Sequence, residues 1–380
     1  MKIGIVGCGY VADYYAGTFP LHSELILRGV FDKVPEHSKR FSSFYSVPIY
    51  DTLDALLQDK EIEMVLNLTN PRDHYEISLA ALNAGKHVYS EKPLSMNMDH
   101  ALQLVNVAAS KKLQISSAPC SVLGETAQTL WKALREEAIG KVRLVYAEMD
   151  DGMIPILPYK NWLNTFGSPW PYKDEFEIGC TMEHAGYYLS WFAAFFGPAV
   201  SVTAFGSIQI PDKLLGETLN LDSPDFSVAC IQFKSGVVAR LTCSIVAPHN
   251  HRLKIIGDKG ILCTDDSWDY YSPVYSHNRK LIPLSGRVLH NPIPIKTRHK
   301  LLKSNLPKPN VRRAQNMDFC RGVAEMAASI RENRPNRLSA QFSLHINEMV
   351  FAIHNARELE STYQMTTTFE PIEPVSWAQP

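Results

Sequence analysis

The chain has no long hydrophobic run. Nowhere does it approach the roughly 18 consecutive apolar residues of a membrane-spanning helix. It has no excess of charge of one sign: 38 basic residues meet 39 acidic ones, for a formal net charge of -1. That balance argues against a nucleic-acid partner and against binding at a membrane surface. Its seven cysteines include no Cys-x-x-Cys pair, which leaves zinc-ribbon and thioredoxin readings without support. An odd, scattered cysteine count also fits a reducing compartment better than a disulfide framework. There is no internal repeat and no low-complexity segment. The apolar run after Lys2 breaks at Gly7 and Gly9, which makes a poor signal peptide, so the expected location is cytoplasmic. What is present is ordinary for a globular protein: 380 residues, 45% of them hydrophobic, enough for two domains with a substantial core.

Hydrophobic patterning divides the chain near residue 120. Before it, short apolar runs at 2–7, 25–31, 64–68 and 87–90 read as buried strands. Helical patterns at 10–19, 35–44, 52–58, 73–84 and 101–110 lie around and between them. Such alternation predicts a parallel sheet covered on both faces. After it, helices are expected at 126–137 and 180–196, with strands at 141–148, 199–209, 226–233, 236–246, 252–257 and 260–264. Consecutive strands joined by tight turns predict a mostly antiparallel sheet. Residues 152–175 read as an aromatic loop, 278–310 as a long excursion or mobile flap, and 311–333 and 339–361 as closing helices. The expected fold is therefore α/β: a doubly wound Rossmann domain over 1–120, then an α+β domain over 121–380 with a large open sheet. The closing helices could pack back on the first domain. An open sheet of this kind also suggests a homo-oligomer, a dimer or tetramer built through it.

Gly7-Cys8-Gly9-Tyr10-Val11-Ala12 is a Gly-x-Gly-x-x-Ala string, placed where a strand ends and a helix begins. The first glycine permits the tight turn, the second lets backbone approach a pyrophosphate, and the small Ala12 lets helix and strand pack closely. The helix start then offers unpaired N–H groups to phosphate. Asp32 closes the second strand, where a carboxylate can accept ribose hydroxyls and repel a 2′-phosphate. NAD is the expected cofactor. Lys33, Lys39 and Arg40 lie close enough in sequence to leave NADP open.

Glu91-Lys92-Pro93 follows the fourth strand, at the sheet edge where open α/β folds bind ligands. Oxidising a carbinol requires a base for the hydroxyl proton, and a lysine amine serves if its pKa is lowered. Glu91 could orient that lysine. Three stretches together resemble the glucose–fructose oxidoreductase, inositol dehydrogenase and rhizopine-catabolism family (Gfo/Idh/MocA). They are the glycine turn, Leu68-Thr69-Asn70-Pro71 with His74, and Gly85-Lys86-His87-Val88 leading into Glu-Lys-Pro. The resemblance implies a two-domain NAD(P)-dependent oxidoreductase acting on sugars, sugar derivatives or cyclitols. It implies that Lys92 contacts substrate and assists proton transfer. It also places Thr69, Asn70, Pro71 and His74 beside the nicotinamide and its ribose.

The family's second domain carries a helix reading Gly-x-x-x-Asp-x-Gly-x-His-x-x-Asp. Aligned on Gly179, this chain has Glu183 for the first acid, Tyr187 for the histidine and Ser190 for the last acid. Glu183 and Tyr187 are four apart and share a helical face. Either Tyr187 works with Lys92, or His184 takes the role from the neighbouring position, which would need a bent helix. The expected catalytic set is therefore Lys92, Tyr187, Glu183 and His184.

Pro119, Cys120, Ser121 and Glu125 could line the cleft. Trp162, Trp170 and Tyr172 could stack on a sugar ring. Arg298, Lys300, Lys303 and Lys308 could meet a phosphate or simply be solvated. His249 and His251 resemble a metal pair, but no third ligand is spaced to complete a site, and no metal is expected. Two rival readings remain beside the dehydrogenase: a non-catalytic sensor of dinucleotide or sugar, and an enzyme that recycles a tightly held NAD.

Overall fold

The computed structural model describes residues 1–213, 216, 221–278, 283–284, 287–288, 295–309, 316–358 and 361–379. Its first sheet is built from β1 (Lys2–Val6), β2 (Ile26–Phe31), β3 (Met64–Asn67), β4 (His87–Ser90) and β5 (Ile115–Ser117). The order is β2-β1-β3-β4-β5 and every pairing is parallel. β3 is buried along its whole length, as a strand covered on both faces must be. Helices α1 (Ala12–Thr18), α2 (Pro35–Tyr45), α3 (Leu53–Gln58), α4 (His74–Asn83) and α5 (Met98–Ser110) complete this Rossmann domain. β5 was not foreseen; three residues carry too little pattern to read.

α6 (Glu125–Arg135) and β6 (Val142–Asp150) follow, then α7 (Tyr172–Ile178), α8 (Cys180–His184) and α9 (Gly186–Phe196). The expected single helix at 180–196 is thus two. A second sheet contains β7 (Ala199–Ser207), β8 (Phe226–Phe233), β9 (Val238–Ser244), β10 (Leu253–Gly257), β11 (Gly260–Thr264) and β12 (Tyr275–Asn278). A separate short pair, β13 (Pro283–Leu284) and β14 (Arg287–Val288), precedes β15 (Ile295–Arg298). α10 (Arg321–Arg331), α11 (Ala340–His354) and β16 (Tyr363–Gln364) close the chain. The sheet order is β15-β12-β11-β10-β6-β9-β8-β7-β16, antiparallel except where β6 pairs with β9. The stretch read as an excursion therefore contributes an edge strand, β15. Its central part, and the start expected for the next helix, fall outside the described residues.

β8 shows why this sheet is one-sided. Ser227, Ala229, Ile231 and Phe233 are buried, while Cys230 and Gln232 between them are exposed. The inner face is covered by α8, α9 and α11. The outer face shows Leu144, Tyr146, Val200, Phe205 and Ile295 to solvent.

α11 fixes the two sheets against each other. Ser339 caps it, its hydroxyl accepting the Phe342 N–H. Ser343 accepts the Ser117 N–H from β5, and Asn347 accepts the Ser95 N–H. On its other side, the His345 Nε2 accepts the Ala199 N–H from β7 at 2.9 Å. Burial pushes the His345 pKa down to about 4, against the pull of Glu348 and Thr367. The unfolded chain takes up this proton near pH 6.5, so between those values the unfolded state binds more protons and stability falls as pH falls. Urea unfolding at pH 7.5 and 5 should show this as a loss of up to about 2 kcal/mol at this site. In His345→Gln, whose amide can accept the same N–H without titrating, the loss should be smaller. An unchanged pH dependence would remove His345 as a source.

Candidate active site

The glycine turn sits at the carboxyl end of β1. Gly7 has φ +98°, and a Cβ there would lie 2.5 Å from the Leu68 carbonyl. At Gly9 a Cβ would meet nothing within 4 Å, so open space lies over the turn. That space fits the close approach of a pyrophosphate to backbone, and Ala12 behind it is fully buried. Asp32 braces the turn: its carboxylate accepts the Cys8 N–H at 2.7 Å and the Val34 N–H at 2.8 Å. Each oxygen keeps a second lone pair for a ribose hydroxyl. Lys33 is turned away to Asp73, at 2.6 Å, and Arg40 to the Gly167 carbonyl. Gly9→Ala should therefore leave stability within about 1 kcal/mol of the parent and weaken dinucleotide binding roughly tenfold. Gly7→Ala should destabilise by about 2–3 kcal/mol through strain and clash. Urea titration and NADH fluorescence measure both, and equal effects at the two glycines would contradict this division.

Tyr10 and Val11 continue the turn. The Tyr10 carbonyl accepts the Asn164 side chain, while Asp13 accepts the Thr165 N–H at 2.8 Å. The aromatic loop thus reaches across from the second domain and docks beside the glycine turn. Its rings are engaged with each other: Trp162 lies 5.1 Å from Trp170, and Tyr172 lies 5.2 Å from Tyr159.

On the next strand, Thr69 bonds Asn67, and Asn70 caps the short turn that begins at Pro71. His74 is fully buried, with Nδ1 2.7 Å from the Pro93 carbonyl and Nε2 3.1 Å from the Thr69 carbonyl. It ties those two segments together. Glu91 accepts the Tyr15 hydroxyl and the Lys92 N–H, which fixes the start of the Glu-Lys-Pro turn.

The Lys92 ammonium is bound to the Glu183 carboxylate of α8. Burial opposes its charge, but Glu183, Glu175 and Glu91 outweigh burial and hold the pKa above the ordinary lysine value. This corrects the expectation of a lysine amine with lowered pKa: its neighbours are carboxylates, not cations, and Lys92 rests charged. Glu175 was not foreseen. Burial, then the neighbouring Glu183 charge, raises its pKa well above the usual carboxylate range, and it is hydrogen-bonded to Glu183. The sharp turn at Gly179, φ +89°, folds α7 back on α8 and brings the two acids together. A Cβ there would meet Ser223 at 2.7 Å.

Tyr187 also faces this group. Burial raises its pKa, with the Lys92 charge opposing and Glu91 and Cys120 adding, so it is a neutral hydroxyl. Its ring lies 5.3 Å from Trp268. His184 also packs on Trp268, at 5.8 Å, with Nε2 3.6 Å from Asp151. Burial lowers its pKa, and its Nδ1 has no partner. Lys92, Glu183, Glu175 and Tyr187 thus gather at one point, and His184 turns toward Asp151.

Glu125 does not line the cleft; it is buried against Arg321 at 2.8 Å. Cys120 lies 3.5 Å from the Tyr270 hydroxyl in the interior. Lys308 lies over the Tyr271 ring, and Arg298, Lys300 and Lys303 are exposed. The reading that His249 and His251 lack a third ligand needs correction. Asp151, far away in sequence, stands beside both because β6 ends next to the segment that carries them.

Residues 1–118 match the model of the Gfo/Idh/MocA oxidoreductase family's NAD-binding Rossmann fold, and residues 127–263 match that of its C-terminal domain. Together they cover about two thirds of the chain, which belongs to this family of NAD(P)-binding oxidoreductases. The chain is 23% identical over 290 residues to a trans-1,2-dihydrobenzene-1,2-diol dehydrogenase of Bos taurus, covering 75% of this chain and 80% of that one. It is 22% identical over 270 residues to a myo-inositol 2-dehydrogenase of Thermotoga maritima, covering 70% and 75%. Among solved structures it is similar to an aldose-aldose oxidoreductase of Caulobacter crescentus, with a TM-score of 0.73, 19% identity and 96% and 99% coverage. That last likeness shows the fold. Among the described residues no helix is long and apolar enough to cross a membrane.

Proposed function

We propose that this chain transfers a hydride between a nicotinamide dinucleotide and a carbinol or ketone carbon of a sugar, sugar derivative or cyclitol. The observation that carries the reading is the Lys92–Glu183 pair with Glu175 behind it, at the carboxyl edge of the Rossmann sheet. Bound in the turn, the dinucleotide supplies a hydride to a carbonyl carbon or accepts one from a carbinol. The chain supplies the proton half. In reduction, the Lys92 ammonium donates to the oxygen as it gains charge, and Tyr187 offers a second hydroxyl donor. In oxidation, Lys92 must first lose its proton to solvent, so that its amine can take the hydroxyl proton as the hydride leaves. The high pKa of Lys92 therefore favours reduction at neutral pH, and oxidation should quicken as pH rises.

Asp32 supports NAD as the preferred cofactor, with Thr69, Asn70 and Pro71 beside the nicotinamide end. The division at residue 120 and assembly through the outer face of the second sheet belong to the same reading, the latter supported by the exposed apolar residues there. The test is incubation with NAD, NADP and their reduced forms against aldoses, ketoses, sugar acids and cyclitols, followed at the NADH absorbance. Turnover of one class establishes the reading. Tight dinucleotide binding with silence across the panel would overturn it in favour of a sensor.

A further inference from the structure

We propose that Asp151, His249 and His251 form a divalent-cation site, of the two-histidine, one-carboxylate kind that zinc occupies, beside the Lys92 centre. Binding there does not depend on the proposed reaction. It rests on four features of the structure.

The first is how the backbone presents the ligands. Asn250 bridges antiparallel to Asp150, with its N–H on the Asp150 carbonyl at 2.9 Å and the reverse bond at 3.1 Å. In extended pairing, residues two apart point to the same side. His249 and His251 therefore project together, their rings 4.1 Å apart, toward the residue after Asp150.

The second is distance. The candidate ligand atoms of the three residues lie within 4.8 Å of one another. Asp151 Oδ1 is 3.9 Å from His249 Nδ1 and 3.9 Å from His251 Nε2. Ligands bonded to one tetrahedral zinc at about 2.0–2.1 Å stand roughly 3.3 Å apart, so closure needs shifts of about 0.6 Å on the two Asp151 pairs and of at most about 1.5 Å between the histidines. His249 and Asp151 are partly exposed and can make them.

The third is an orphaned acceptor. The His251 side chain is 0% exposed and its Nε2 has no hydrogen-bond partner. A buried polar atom left unpaired costs about 1–3 kcal/mol. A cation placed between His251 and Asp151 removes that penalty.

The fourth is the support behind that ring. His251 Nδ1 faces Asp266 Oδ1 at 3.3 Å, and Asp266 also accepts the Trp268 N–H at 2.8 Å. A carboxylate on the far nitrogen fixes the tautomer that leaves Nε2 free to ligate, and it raises the basicity of the ring. Trp268 packs on His251 at 4.4 Å and holds the ring in place.

Three protein ligands leave at least one coordination position for an oxygen donor, a water or a substrate hydroxyl. His184, 3.6 Å from Asp151, adjoins Glu183 in the chain and so links the site to the Lys92 ion pair. A cation here would therefore grip a hydroxyl of the same substrate that Lys92 serves.

The test uses the full chain stripped with EDTA and titrated with Co²⁺, followed by displacement with Zn²⁺. The expected result is one equivalent bound, with visible absorption and a micromolar or tighter Kd. His249→Ala and Asp151→Asn should weaken binding by at least about tenfold while circular dichroism stays unchanged. Both residues are partly exposed, so these variants fold even if His251→Ala does not. Binding no tighter than millimolar, or binding indifferent to both substitutions, overturns the proposal. NADH fluorescence on the same stripped protein separates the failures: dinucleotide binding without metal binding sinks the cation site alone.

Discussion

Lys92→Met should lower turnover by about 10²–10⁴-fold and leave dinucleotide affinity within a few-fold of the parent. The expectation follows from where the ammonium sits. It is bound to Glu183, next to Glu175, whose pKa burial raises, and the neutral Tyr187. The dinucleotide contacts expected at Gly7, Gly9 and Asp32 lie on other strands and do not pass through it. Methionine keeps the length and the apolar stem but has no proton to give. Loss should therefore appear in kcat and in kcat/KM alike, the mark of an interaction made in the transition state. Lys92→Arg separates charge from proton transfer: it keeps a cation against Glu183 but releases its proton poorly. An intact ion pair with Glu183, read as unchanged stability, without recovery of kcat is the expected result there. Single-turnover hydride transfer at several pH values measures both variants. Full turnover in Lys92→Met would remove the residue from the chemistry and leave Tyr187 as the candidate donor.

The first domain was legible because its signals are local. The Gly7–Ala12 turn, the Asp32 position and the Glu-Lys-Pro turn each occupy a few consecutive residues at strand ends, and a parallel sheet places strand ends together. The second domain was legible as alternation, although β12 and β15 escaped because one lies beside, and the other within, a proline-rich basic stretch. What could not be read were meetings across distance. Glu175 is one of four acids between Asp174 and Glu183. Nothing in that string says which of them turns inward, since the answer depends on the fold-back at Gly179. Asp151 meets His249 and His251 only because β6 runs beside the segment that follows β9. The charge state of Lys92 was misread for the same reason. A lysine's pKa is set by what surrounds it, and two of the three carboxylates around it come from α7 and α8.

Arg321→Met should be the most damaging substitution for stability, at about 3–5 kcal/mol. Arg321 lies between two carboxylates with almost no access to water: Asp318 is 0% exposed and Glu125 1%. Its Nε is 3.2 Å from Asp318, its guanidinium reaches Glu125 at 2.8 Å, and the same group lies 5.1 Å from the centre of the Tyr270 ring. His22 of the first domain faces Asp318 from the other side at 2.9 Å, so the network joins both domains to the start of α10. Methionine fills much of the volume but leaves Glu125 buried without its cation. The penalty should then depend on Glu125: in Arg321→Met/Glu125→Gln a good part of the loss should return, a coupling of about 1–3 kcal/mol. It should also depend on pH. A stranded carboxylate takes a proton more readily folded than unfolded, so the folded variant gains protons as pH falls, and its deficit against the parent shrinks from pH 7.5 to pH 5. The acid loss expected from His345 is common to both proteins and cancels in that difference. Equal deficits at the two pH values, with no recovery in the double variant, would mean that Arg321 stabilises by packing on Tyr270 and not by charge.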